Sequence, residues 1–391
     1  MQTILTVNGG SSSLKCALFE RTDTDLILRY SFKLSNILNQ PLVRVMDSDG
    51  SLLSQQEPEF DHLPADQRHQ ACLNVILNWL TDEVSDNQLC AIGHRVVHGG
   101  SAFSDPQIID DSLLAELASF IPLAPLHQPY NLKLIHACRA LAPELPQVAC
   151  FDTMFHASQT ALERYYAIPK KYTAEGVHRY GFHGLSYEFI QRELLKLNSG
   201  TLNTIVCHLG AGASMCAIKK GSSIASSMGF TAVDGLPMGS RCGNIDPGVL
   251  LYLQRHHQMS TDDLETMIYK QSGWLGVSGL SSDMLELHQS EADEADQAIE
   301  MFCYRAALEA GRLSAALEGL EQIVFTGGVG ENDADVRQRI LDRMHWLGVK
   351  YDSQANLAAL PEISTAQSAV KVRVIPTNEE AMIALHVEEL T

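Results

Sequence analysis

The stretch Val7-Asn8-Gly9-Gly10-Ser11-Ser12-Ser13-Leu14-Lys15-Cys16-Ala17-Leu18 is echoed by His208-Leu209-Gly210-Ala211-Gly212-Ala213-Ser214-Met215-Cys216-Ala217-Ile218, about 200 residues later. Both read as strand, Gly/Ser turn, strand, and a hairpin recurring at that distance points to two lobes of similar fold. Outward from these hairpins, short β-rich runs alternate with longer segments of helical period, the pattern of an α/β architecture with mixed or parallel sheets. Further strands are expected at Leu26 to Tyr30, Ala91 to Val97, Gln147 to Phe151, Gln322 to Phe325 and Lys371 to Ile375. The clearest helix lies between Ala292 and Leu317, where Ile299, Phe302, Cys303, Ala306, Ala310 and Leu313 form one apolar stripe.

The chain has 391 residues, 47 acidic and 28 basic, for a net charge of −19. So acidic a surface repels phosphate backbones and anionic headgroups, so nucleic acid and membrane are excluded as partners in favour of small molecules or other proteins. The length predicts two or three domains. Nine scattered cysteines contain no C-x-x-C pair, which disfavours a disulfide framework or a zinc site. With no signal peptide and no apolar run of the ~18 residues that span a bilayer, the expected location is the cytoplasm.

Glycines let a backbone approach an anion closely, and successive turn N–H groups form a nest for phosphate oxygens. Three stretches have that composition: Asn8 to Ser13, His208 to Ser214, and Thr326-Gly327-Gly328-Val329-Gly330-Glu331-Asn332. The third follows an expected strand and precedes a periodic run from Asp333 to Leu347, so it reads as a turn feeding a helix N-terminus. None completes G-x-G-x-x-G, and G-x-x-x-x-G-K-[ST] is absent, which disfavours the dinucleotide and P-loop fingerprints. Three such loops, each after a strand, still point to a nucleotide. His94 and His98 mimic metal spacing, but residues four apart on a strand lie about 13 Å from each other, too far to share an ion.

Several motifs run in order along nearly the whole chain: Thr6 to Lys15, Gly93-His94-Arg95-Val96-Val97-His98-Gly99-Gly100, Cys150-Phe151-Asp152-Thr153-Met154-Phe155-His156, Arg179-Tyr180-Gly181-Phe182-His183-Gly184, Met228-Gly229-Phe230-Thr231, Met238-Gly239-Ser240-Arg241-Cys242-Gly243, Phe325 to Asn332, and Pro376-Thr377-Asn378-Glu379-Glu380. Together they resemble the signatures of the acetate kinase family. The resemblance implies an actin-like, sugar-kinase type of fold with duplicated α/β lobes around a cleft. Residues 1–151, completed by a C-terminal helix 380–391, would form the N-terminal lobe, and 152–379 the nucleotide-binding lobe. It further implies a homodimer and the reversible, direct in-line transfer of the γ-phosphoryl group of ATP to acetate, giving acetyl phosphate and ADP. The expected cofactor is Mg²⁺, with Mn²⁺ as the other candidate.

Two anions must meet in that reaction, so catalysis is positioning plus cationic stabilisation. On the matched motifs the resemblance assigns Arg95 and Arg241 to the carboxylate and the transferring oxygens, a task that suits planar forks. His183 would donate to the phosphoryl group in flight, with His127 near the same group. Asp152 is expected among the catalytic residues and, with Glu379, to position Mg²⁺ through water; Asn8 is carried over beside the metal. Thr377 and Glu380 have capping-box spacing, a structural role for Glu380. Lys15, His208, Leu209, Gly210, Ala211, Gly212, Asp283, Gly328, Val329, Gly330, Glu331 and Asn332 are expected at the nucleotide. Val97, Leu126, Phe182 and Pro237, with Arg95, are expected around the acyl group. Valine rather than alanine at position 97 favours acetate over propionate, although one methylene is worth only about 1–3 kcal/mol.

Two positions depart from the family pattern. The loop that normally reads H-L-G-N-G has Ala211 in place of its asparagine, and Leu285 stands where an arginine is usual. Both put contacts to the nucleotide in question. Three readings follow: an acetate kinase, a propionate or other short-chain acyl kinase, and a noncatalytic actin-like nucleotide-binding protein. Retention of Arg95, Arg241, His183, Asp152 and Glu379 opposes the last.

Overall fold

In the computed structural model, β1 (Gln2–Gly9) and β2 (Leu14–Arg21) pair antiparallel, with Asn8 opposite Lys15. The structure describes residues 2–10, 13–37, 39–60, 62–64, 67–83, 88–125 and 127–391. The hairpin continues antiparallel through β3 (Leu26–Ser35), β4 (Leu42–Asp47) and β5 (Leu52–Gln56). On its other side β1 pairs in parallel with β6 (Gln88–Val96), and β6 in parallel with β8 (Gln147–Phe151), while β7 (Gln107–Ile108) closes the edge. The sheet order is β5-β4-β3-β2-β1-β6-β8-β7.

A second sheet, of order β11-β10-β9-β12-β13, joins β9 (Thr204–His208), β10 (Ser214–Lys219), β11 (Ser222–Ser226), β12 (Gln322–Thr326) and β13 (Lys371–Val374). Its pairings are antiparallel for β9–β10–β11 and parallel for β9–β12–β13. The run β3-β2-β1-β6-β8 therefore has the same order and the same pattern of directions as β11-β10-β9-β12-β13. The recurring hairpin heads both copies.

The chain divides into two compact units, Met1–Met154 with Asn378–Thr391, and Phe155–Thr377. Asp152 and Glu379, placed by the sequence reading in the second lobe, thus belong to the first unit with Arg95. In that unit Leu5, Val7 and Phe32 pack with Leu73 and Ile76 of the helix Arg68–Glu83 and Leu134 of the helix Gln128–Leu141. The helix Glu379–Leu390 lies against β1, β6 and β8, an approach that needs Gly93, where a Cβ would sit 2.4 Å from Ile383 Cγ2. In the second unit Val206, Cys216 and Val324 pack with Tyr187, Ile190 and Leu194 of the helix Gly184–Lys196. The expected stripe is realised on the helix Asp293–Leu317, which buries Ile299, Phe302, Cys303, Ala306, Ala310 and Leu313.

Candidate functional site

Arg95 sits on β6 opposite Cys150 of β8, and Asp152 follows the end of β8, so the parallel pairing sets the two side by side. Arg95 Nε lies 3.1 and 3.0 Å from the two Asp152 carboxylate oxygens, and Nη2 lies 2.5 Å from Oδ2. Burial raises the Asp152 carboxyl against the pull of the guanidinium. Burial would also loosen the Arg95 proton, but the charges of Asp152, Glu379 and Glu380 outweigh it and hold the group above its ordinary value. Asn8, near the end of β1, gives its amide hydrogens to Glu379 Oε2 and Glu380 Oε1, each at 3.0 Å. This leaves Asn8 Oδ1 to meet a cation.

The expected Thr377–Glu380 capping box does not form. Asn378, one residue nearer the helix, is the cap and accepts the Ala381 N–H at 2.9 Å. Glu380 is committed to Asn8, while the Thr377 hydroxyl bonds Ser186 Oγ at 2.9 Å. Lys15 is exposed on β2. Val97 is buried, and its N–H donates to Asn131 Oδ1 at 3.0 Å. His127 occupies the N-cap position of the helix Gln128–Leu141. Leu126 lies outside the described residues, as does Ser11 of the first glycine stretch. His94 is tied to Gln147 at 2.8 Å, and burial pushes it down to about 4. Among the described residues no three His, Cys, Asp or Glu side chains form a metal cage.

That open donor set fits magnesium, which holds most of its water and takes one or two carboxylates together with phosphate oxygens. Asp152 and Glu379 present such carboxylates, one buried and one partly exposed.

In the second unit, Leu209 binds the second glycine stretch to the third. Its N–H donates to Thr326 O at 2.8 Å, and its carbonyl accepts the N–H groups of Val329 and Gly330 at 2.9 and 3.1 Å. Gly327 has φ +77, and a Cβ there would lie 2.7 Å from Leu209 O, so this contact requires glycine. The third stretch is not the expected turn: Gly327–Asn332 is itself a short helix straight after β12. Glu331 Oε1 accepts the N–H groups of Gly327 and Thr377 at 2.8 and 3.1 Å, which makes Glu331 a brace for this segment.

Gly210, Ala211, Asp283, Gly328, Val329 and Asn332 all line one cavity of about 610 Å³, a size that suits a nucleoside. Sequence reasoning missed the rest of its wall, which includes Trp274, Met284 and His288. Leu285, also on the wall, is 66% exposed. The ionisable lining consists of Asp283, His288, Asp333 and Asp335, without lysine or arginine, so the cavity suits sugar and base rather than a phosphate chain. Asp283 also caps the helix Met284–Gln289 through the Leu285 and Glu286 N–H groups.

His183 occupies the N-cap position of the helix Gly184–Lys196 in the left-handed region, at φ 57° and ψ 27°. Its ring stacks on His208 with centroids 4.3 Å apart, and its Nδ1 is 2.8 Å from Ser214 Oγ. A Cβ at Gly212 would lie 3.6 Å from His183 Nε2, so these three expected residues come together. Arg241 Nη1 donates to Ala232 O at 3.0 Å, and the adjoining Gly239 N–H donates to Ala211 O at 3.0 Å. Phe182 is buried and its carbonyl bonds His156 Nε2 at 2.9 Å. Pro237 is buried in the wall of a second cavity, of about 660 Å³, with Cys242, Met267 and Arg305.

The model of the Acetokinase family matches residues 3–385. The acetate kinase of Methylocella silvestris is 45% identical over 391 residues, covering 98% of this chain and 96% of that one. Among solved structures, a propionate kinase from Francisella tularensis subsp. tularensis SCHU S4 is similar at a TM-score of 0.90 with 35% identity, covering 99% of each chain. The acetate kinase of Porphyromonas gingivalis is similar at 0.86 with 35% identity over 100% of each.

Proposed function

The chain belongs to the acetokinase family, and from that premise we propose how its residues carry out the acetate kinase reaction. The γ-phosphoryl group of ATP passes to acetate, giving acetyl phosphate and ADP, and the reaction is reversible. The observation that carries the assignment of roles is the Arg95 guanidinium confined in the first unit with Asp152, Glu379 and Glu380. Asp152 takes Nε and Nη2, which leaves Nη1, 3.5 Å from Gly9 O, as the donor for an acyl carboxylate. We take Val97, buried in the same unit as Arg95, as an apolar wall for the methyl group.

The second unit handles the nucleotide. Adenosine occupies the cavity between Gly210–Ala211 and Gly328–Val329, and its hydroxyls meet carboxylates rather than cations. The backbone N–H groups after His208 receive the phosphates. His183 and Arg241 stabilise the charge that spreads over the equatorial oxygens in flight. Mg²⁺, when bound through Asp152 and Glu379, neutralises charge on the phosphate oxygens. Two helices, Pro247–His256 and Thr261–Lys270, bury no residue within the chain, and Val249, Leu251 and Tyr252 are 41%, 49% and 54% exposed. A second copy covering these faces makes the enzyme a homodimer. No helix among the described residues is long and apolar enough to cross a membrane; the need for ATP favours the cytoplasm.

Acetate, MgATP and hydroxylamine should yield acetohydroxamate in the presence of the protein. Faster turnover of propionate would favour the second reading, which the likeness to the Francisella propionate kinase keeps open. No product from either acid would overturn both.

A further inference from the structure

Behind His183 lies a chain of hydroxyls that the reaction as described does not use. Ser214 opens β10 opposite His208, and its Oγ is 2.8 Å from His183 Nδ1. Tyr187, one turn into the helix that His183 precedes, bonds the same Oγ with its phenol. Both side chains are completely buried. Ser214 is the Tyr187 hydroxyl's one hydrogen-bond partner among the described residues.

The direction of the chain follows from its protons. Burial pushes the Tyr187 phenol well up from its ordinary value, so the hydroxyl stays protonated and must donate. Ser214 Oγ receives that hydrogen, and the serine's own hydrogen then points to His183 Nδ1, which must be bare to accept it. The opposite direction, from Nδ1–H through Ser214 to Tyr187, would strand a buried phenolic donor, and a Ser214 Oγ that accepted from both neighbours would strand the serine's own buried hydrogen, arrangements that folded proteins avoid. We infer that Tyr187 and Ser214 are positioning residues that fix His183 as the neutral tautomer carrying its hydrogen on Nε2.

Nε2 is the nitrogen that faces Gly212 in the second glycine stretch. The stacked His208, held by Ser186 Oγ at 2.8 Å, keeps the plane of the His183 ring. The inference rests on reading His183 as the donor to the phosphoryl group in flight. With the hydrogen on Nδ1, Nε2 would turn a lone pair toward anionic oxygens. With Ser214 holding Nδ1 bare, the same atom offers a hydrogen bond.

The test is a long-range ¹H–¹⁵N spectrum of protein labelled at the histidine rings, with the His183 signals assigned from His183→Gln. The expected wild-type pattern is a protonated Nε2 and a bare Nδ1. Tyr187→Phe keeps the ring but frees the serine hydroxyl to turn, so a mixture of tautomers should appear. Its kcat should fall by about tenfold, with KM for acetate and MgATP unchanged within about twofold, since a wrong tautomer impairs the reacting state rather than binding. Ser214→Ala should act in the same direction, and Ser214→Thr, which retains the hydroxyl, should recover most of the turnover. A wild-type His183 protonated on Nδ1 overturns the inference. An unchanged tautomer in both Tyr187→Phe and Ser214→Ala overturns it as well. Should the spectra come out as expected while His183→Gln keeps full turnover, the relay stands and the phosphoryl-donor reading of His183 falls.

Discussion

Arg95 and Asp152 meet side-on, with Nε and Nη2 3.0 and 2.5 Å from the same carboxylate oxygen. Asp152 is 1% exposed, so water screens neither partner well. The pair also aims the third guanidinium nitrogen. Under the roles proposed for the pair, stability and catalysis depend on the same contact but respond differently to its loss.

Asp152→Ala leaves a buried guanidinium without its partner and should cost about 3–5 kcal/mol of stability, read from urea unfolding. Asp152→Asn preserves shape and hydrogen-bond acceptance at one atom, so it should unfold nearer the wild type. Its kcat should nevertheless fall by at least about 100-fold, because Arg95 is no longer aimed and a carboxylate beside the metal is gone. Wild-type turnover in Asp152→Asn would remove Asp152 from the mechanism.

Acid should weaken the fold through two histidines. Burial pushes His94 and His156 each down from 6.5 to about 4. Between those values the unfolded chain binds protons that the folded chain refuses, so stability is present above about pH 6.5 and drains away as the pH falls toward 4. The linkage is worth on the order of 3 kcal/mol for each group. Urea midpoints measured from pH 7 to 5 should fall accordingly, and His94→Gln should flatten part of that slope. A flat profile in the wild type would contradict the burial of both rings.

Restoring the family's asparagine should tighten nucleotide binding. Ala211 is exposed on the wall of the 610 Å³ cavity, next to Gly210 and across from Gly328. With the phosphates received by the backbone after His208, as proposed, a side-chain amide at position 211 adds a hydrogen bond to a charged phosphate oxygen, worth roughly 1.5–3 kcal/mol. Ala211→Asn should thus lower KM for ATP by about tenfold or more while leaving KM for acetate alone. An unchanged KM for ATP would show that the phosphates do not pass this position.

What was legible in the sequence followed from local regularity. The two Gly/Ser hairpins, their flanking strands and the stripe on Asp293–Leu317 depend on periods that a single segment displays. The third glycine stretch reads locally as a turn, because what makes it helical is not local. Leu209 supplies the carbonyl that receives Val329 and Gly330. The capping box failed for the opposite reason, since a better cap stood next door at Asn378. Asn131, which holds Val97 and Gly9 from 34 and 122 residues away, gives no signal in its own neighbourhood. Ser214 stood inside a quoted motif, yet its bonds to His183 and Tyr187 arise only when β10 meets the helix Gly184–Lys196.

Arg241→Lys separates charge from geometry. The guanidinium is anchored by Nη1 to Ala232 O. Lysine keeps the positive charge, and long-range attraction for MgATP should survive with KM changed by no more than about threefold. It cannot present two parallel N–H donors to oxygens that become more negative only as phosphorus leaves its bridge. The loss therefore belongs to the transition state, and kcat should fall by about 100- to 1,000-fold. Equal losses in kcat/KM for ATP and in nucleotide affinity, measured by calorimetry with ADP, would instead make Arg241 a ground-state binding residue.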